Sequence, residues 1–164
     1  MLHPAPVRAD ARIALRGERE GKPWVVLDAT PFYPGGGGQP PDQGTIAGVP
    51  VVAILVEGDR ILHVIERPID GDAVVAEVDA ARRLDLSQQH TAQHLVTALF
   101  LGRHGLPTTA FHLGEDYTAI EVKGPPPGPG IVRAVEDEAN TLIAGARPVR
   151  VMWVEPGDME RLGV

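Results

Sequence analysis

The apolar positions of this chain keep two different rhythms, and the change between them falls near residue 84. Before it, short stretches rich in Val and Ile alternate with polar residues and stop at Gly, Pro or Asp, as half-buried strands do. Strands are predicted over residues 11–16, 23–29, 50–57, 60–66 and 72–79, with Gly58-Asp59 spaced as a two-residue hairpin turn between two of them. No helical period precedes residue 84, so a small antiparallel barrel or curled sheet is expected. After it, Asp85 and Gln88 read as a capping box, and Ala92, Leu95, Val96 and Leu99 recur at helical spacing up to a stop at Gly102. This predicts a helix over 86–101.

Residues 109–113 and 117–122 again alternate, around Gly114-Glu115-Asp116, and predict a second hairpin. The Pro/Gly stretch 124–130 reads as an exposed connection. A second helix over 131–144 places Val132, Val135, Ala139, Leu142 and Ile143 on one side, and 148–154 reads as a strand. The fold class expected is α+β: a barrel-like β subdomain over 1–82, then an α+β subdomain over 83–164 with helices packed on a sheet.

Composition narrows the function. The chain has 164 residues, 43% of them apolar, enough for one sizeable core or two small ones. Its longest apolar stretch, 49–56, falls far short of the ~20 residues that cross a bilayer. No membrane is expected, and the start of the chain reads as that of an unprocessed cytoplasmic protein. There is no cysteine, so a metal would be held by nitrogen and oxygen ligands or by sulfur supplied from elsewhere. The net charge of −7 disfavours bulk electrostatic binding to nucleic acid; no DNA partner is expected, and an RNA would meet the less acidic second half.

Two features carry candidate chemistry. His90 and His94 stand four apart on the first helix, so both imidazoles leave one face a turn apart, as two ligands of one zinc do; surface histidines reach this spacing by chance as well. Thr91 occupies the place where a zinc protease of the H-E-x-x-H type has its glutamate, which excludes that mechanism. The second feature is the run of glycines 35–38 followed by Gln39, a loop whose backbone can approach a ligand closely. No Gly-Lys-Ser/Thr follows, so it is not a phosphate-binding P-loop.

The run Thr30-Pro31-Phe32-Tyr33-Pro34, Gly36-Gly37-Gly38-Gln39-Pro40 and Asp42-x-Gly44, followed by His90-Thr91-Ala92-Gln93-His94-Leu95, resembles the editing domain of alanyl-tRNA synthetases and the free-standing AlaX-type editing proteins. Phe111-His112-Leu113-Gly114, Glu138-Ala139-Asn140 and Arg147-Pro148-Val149 fall where that family has similar segments. The resemblance implies hydrolysis, in trans, of the ester joining serine or glycine to tRNA for alanine. It implies zinc held by His90 and His94, a glycine loop (Gly36, Gly37, Gly38) closing over the substrate, Gln39 as a catalytic contact to water or ester, and Thr30 as the contact to the serine hydroxyl. The family completes its zinc shell with a C-x-x-x-H segment, which has no counterpart here: the last histidine is His112. The chain reads either as a piece of a longer protein or as a variant lacking two ligands, and a noncatalytic module binding tRNA or a protein partner is the alternative function. His112, Glu115, Asp116 and His104 are the in-chain candidates to replace those ligands, His112 first. His3 and His63 read as surface or strand residues. Arg82, Arg83, Arg103 and His104 could touch phosphates, and Trp24, Phe32, Tyr33, Phe100, Phe111 and Trp153 read as core.

Overall fold

The computed structural model describes residues 6–114 and 117–149. Its first half is a closed barrel of β1 (Arg8–Arg19), β2 (Lys22–Leu27), β3 (Gly44–Ile46), β4 (Val49–Glu57), β5 (Arg60–Ile65) and β6 (Ala73–Val78), ordered β1-β2-β5-β4-β3-β6. The five expected strands are present, and Gly58-Asp59 turns β4 into β5 with Glu57 opposite Arg60. Closure depends on β1, whose first part pairs with β6 from Arg8 opposite Glu77 to Arg12 opposite Ala73. Its later part pairs with β2. An irregularity between Ile13 and Leu15 marks the change of partner, as bulges do where barrels bend. Inward side chains, among them Val25, Ile46, Ile65, Ala76 and Phe32, fill the barrel.

The sequence gives no sign of β3, which closes the barrel between β4 and β6 with three residues. A Cβ on Gly44 would stand 2.0 Å from the carbonyl oxygen of Glu77, so only glycine lets β3 lie this close to β6. Gly44→Ala is expected to lower the unfolding free energy by about 3 kcal/mol, the upper end of overpacking costs, read as a lower urea midpoint with unchanged slope.

The first helix, α1, spans Ala80–His104 and is longer at both ends than expected. Its cap is Asp79, whose carboxylate accepts from Arg82 N at 3.0 Å; Asp85 instead accepts from Gln89 Nε2 one turn on. Ala80 and Ala81 extend the helix without side-chain entropy cost. Gly102 stays helical, and the left-handed stop is Gly105 at φ +64°. A two-stranded sheet follows, β7 (Thr108–Leu113) paired with β8 (Thr118–Val122), and then α2 (Pro129–Ala144), with proline in its first turn. Leu99 and Phe100 of α1 meet Val135 and Ala139 of α2 in a second core. The expected strand over 148–154 lies mostly outside the described residues, and Pro148 and Val149 have no regular structure. No helix among the described residues is long and apolar enough to cross a membrane.

Candidate functional site

The glycine run folds into a tight turn rather than a loose connection. Gly36 N donates to Gln39 O and Gln39 N to Gly36 O, each at 3.0 Å, so Gly37 and Gly38 are the central residues of a two-residue turn. Their φ values, +56° and +81°, are the pair of positive angles that a type I′ turn needs. Tyr33 Oη donates to Gly36 O at 2.9 Å and braces the turn from its root.

That root is fastened to α1. Asp42 is 4% exposed and accepts from Arg83 Nε at 2.9 Å, from an Arg83 terminal nitrogen, and from the Tyr33 amide at 2.5 Å. Arg83 also donates to Pro31 O at 2.8 Å. Arg83 is therefore a largely buried cation whose Nε and one terminal nitrogen are committed to the loop. Arg103 likewise engages Glu138 on α2, at 2.7 Å from its nearer oxygen; the guanidinium holds that carboxyl below its usual range. Arg82 stays half-buried, with its Nε unpartnered among the described residues.

The turn docks on β7. Leu113 N donates to Gly38 O at 3.1 Å, and a Cβ on Gly38 would stand 2.5 Å from the Phe111 carbonyl oxygen. Phe111 in turn lies against His90, ring centroids 5.7 Å apart. Gln39, just past the turn, then reaches α1: its Oε1 lies 2.7 Å from His90 Nδ1. Two of the predicted features, separated by 51 residues, thus meet directly.

That contact fixes where the protons sit. With Oε1 as acceptor, Nδ1 carries the hydrogen, His90 Nε2 keeps its lone pair, and the Gln39 amide group is left free to donate. Burial, then the neighbouring His94, push the His90 pKa down, which favours this neutral form at pH 7. The rings of His90 and His94 stack with centroids 4.9 Å apart and planes 23° from parallel. A histidine whose Nδ1–H is held by a carbonyl oxygen is prepared to bind a cation through Nε2, and this donor chemistry fits two positions of a zinc shell. No group of three or more His, Cys, Asp or Glu side chains that could hold a metal is assembled among the described residues. His112 does not join: it follows Phe111 in β7 and so faces the opposite side of the sheet, exposed, near Glu121. His104 lies ten residues beyond His94, ~15 Å along the helix axis. Glu115, Asp116, His3 and Trp153 lie outside the described residues.

Thr30 has partners of another kind. Its Oγ1 is 2.8 Å from Nε2 of His63 and accepts from the Phe32 amide at 3.1 Å, and none of its hydrogen bonds reaches Gln39 or His90. His63 is a strand residue as expected, yet wholly buried, with Phe32 edge-on to its ring at 5.4 Å. Its burial was hidden in the sequence, because β5 is covered on both faces and reads simply as an apolar run around one histidine. The other aromatics divide: Phe32 and Phe100 are core, whereas Trp24, Tyr33 and Phe111 are half-buried, the last two at the site.

No protein-family model matches the chain. Curated proteins do. The alanyl-tRNA editing protein Aarsd1-B of Xenopus laevis is 38% identical over 137 residues, 83% of this chain and 33% of that protein. AlaX-L of Pyrococcus horikoshii, also named an alanyl-tRNA editing protein, is 36% identical over 148 residues, 85% of this chain and 36% of its own length. The alanine–tRNA ligase of Nitrosopumilus maritimus is 34% identical over 143 residues, 84% of this chain and 16% of the ligase. The chain spans about a third of the length of the curated editing proteins it matches.

Proposed function

Since this chain is a homologue, over most of its length, of the alanyl-tRNA editing proteins, we propose that it is an editing module that hydrolyses the ester linking a wrong amino acid, serine or glycine, to tRNA for alanine. The observation that supports this best is the 2.7 Å contact between Gln39 and His90, which joins the glycine turn to the histidine pair in one site. In this reading the turn covers the aminoacyl end, and the free Gln39 amide donates to the ester carbonyl or to the attacking water. Phe111, on which Gly38 rests, covers one side of His90 and excludes bulk water there. Thr30 meets the serine hydroxyl, a contact that alanine cannot make, so the correct ester is spared.

His90 and His94 would hold zinc. Bound there, the ion would polarise the ester carbonyl and orient the water that attacks it. His94→Ala is expected to abolish both stoichiometric zinc and serine release. Its His90 ring should titrate at higher pH than in the parent, because His94 is one of the two causes that push it down, while the Gln39 contact, which does not pass through His94, persists. Equilibrium dialysis, release of labelled serine from Ser-tRNA for alanine with a chelator control, and a ring-proton titration read the three outcomes. Full turnover by the variant would overturn the assignment.

The shortage of metal ligands among the described residues favours a second reading, a noncatalytic module that binds the tRNA or a protein partner. A folded chain that binds tRNA for alanine without releasing serine, zinc supplied, would establish it.

A further inference from the structure

His63 is buried in the barrel and both its ring nitrogens are engaged. Nδ1 lies 3.2 Å from the Val25 carbonyl oxygen, which can only accept, so Nδ1 carries a hydrogen. Burial disfavours the charged ring and pushes its pKa down. In the neutral ring Nε2 then has no hydrogen and must accept, and its one partner is Thr30 Oγ1 at 2.8 Å. A threonine hydroxyl has one hydrogen and two lone pairs. The hydrogen goes to His63, one lone pair receives the Phe32 amide, and one lone pair remains on a half-buried side chain.

We propose that His63 is a positioning residue for substrate selection: by taking the only hydroxyl hydrogen of Thr30, it leaves Thr30 able solely to accept a hydrogen bond from the amino-acid side chain. The inference rests on the reading of Thr30 as a substrate contact. It deepens that reading by fixing the class of side chain selected: small groups that donate from the β carbon. Serine donates and fits. Alanine offers nothing, and a small acceptor in the serine position meets a lone pair; a glycyl ester would be cleared without this contact. The barrel core thereby sets the polarity of a contact it does not itself make.

Two measurements test this on the whole chain. In 15N-labelled protein at neutral pH, His63 should show a protonated Nδ1 and a bare, hydrogen-bonded Nε2, and Thr30→Val should shift Nε2 alone toward the value of a free acceptor. An Nε2–H ring would overturn the proposal. Next, tRNA for alanine is charged with serine, with 2,3-diaminopropionate (a donor only, with its β-amine protonated), with 3-fluoroalanine (isosteric with serine but no donor), and with alanine. Seryl and diaminopropionyl esters should be cleared with kcat/KM at least about tenfold above the alanyl ester, a factor worth one good hydrogen bond, and fluoroalanyl at the alanyl level. In His63→Leu the seryl preference should collapse towards that level, because the hydroxyl is no longer held. Should that variant fail to fold, Thr30→Val must lose the preference and Thr30→Ser must keep it. Fluoroalanyl ester cleared as fast as seryl would refute the polarity. If the parent chain releases no serine at all, the deacylase reading falls and the His63 tautomer alone decides the state of Thr30.

Discussion

Gly38→Ala is expected to cut serine release by about 100-fold while leaving the barrel folded, because an ångström-scale displacement of a positioned group costs about that much. The new methyl group would overlap the Phe111 carbonyl, 2.5 Å away, and the backbone there sits at φ +81°. The overlap is relieved by lifting the turn off β7, which breaks the bond from Leu113 N to Gly38 O and draws Gln39 from His90, whereas the cost of the positive φ remains. Gly37 supplies the control. A Cβ there meets nothing within 4 Å, so Gly37→Ala has only the cost of its left-handed φ of +56°, about 1–2 kcal/mol, and should retain most of the activity. Deacylation rates of the two variants, with the His90 ring resonances as a reporter of the Gln39 contact, separate the outcomes. Equal losses in both would show that the seat on β7 is not what positions the turn.

The second large effect is on stability. Asp42→Ala should lower the unfolding free energy by about 3–5 kcal/mol, the range for leaving one partner of a buried ion pair alone. The Arg83 side chain is 12% exposed and that of Asp42 only 1%, so water cannot replace the carboxylate. The Tyr33 amide loses its acceptor in the same variant. A midpoint about 10 °C lower follows for a chain of this size, measured by thermal unfolding. The paired change Asp42→Leu with Arg83→Met should recover much of that loss, since the uncompensated charge is gone. A double variant as unstable as the sum of the single ones would locate the cost in the Tyr33 amide and the Pro31 carbonyl instead.

What the sequence made legible was local. Strands β1, β2, β4 and β6 show in alternation, because each has one side in the core, and β5 shows as a short apolar run. The histidine pair shows in its spacing, and the glycine turn in its composition. Strand β3 was illegible, since three residues are too few to display a period. The start of α1 was misplaced by Asp85 and Gln88, a capping signal inside a helix already capped at Asp79, where the chain has just left β6. The partners of the site were illegible for a different reason. Asp42 with Arg83, Thr30 with His63, and Gln39 with His90 lie 41, 33 and 51 residues apart, and no local pattern encodes who meets whom across such distances. Arg83 shows the consequence: beside Arg82 in the sequence it reads as a candidate phosphate contact, and only the fold makes it the clasp of the loop.

Barrel closure also sets an order of events. The first strand can complete its pairing only when the last one arrives, since Arg8 meets Glu77 across 69 residues of chain. Contacts of such long span carry a loop-closure cost that slows folding. The Asp79 amide, immediately after the closing strand, donates to Gln43 O, so the helix that bears the histidine pair starts from the same junction that ends the glycine segment. A nascent chain emerging from the ribosome therefore holds its barrel open until β6 is out, and the meeting of Gln39 with His90 comes later still.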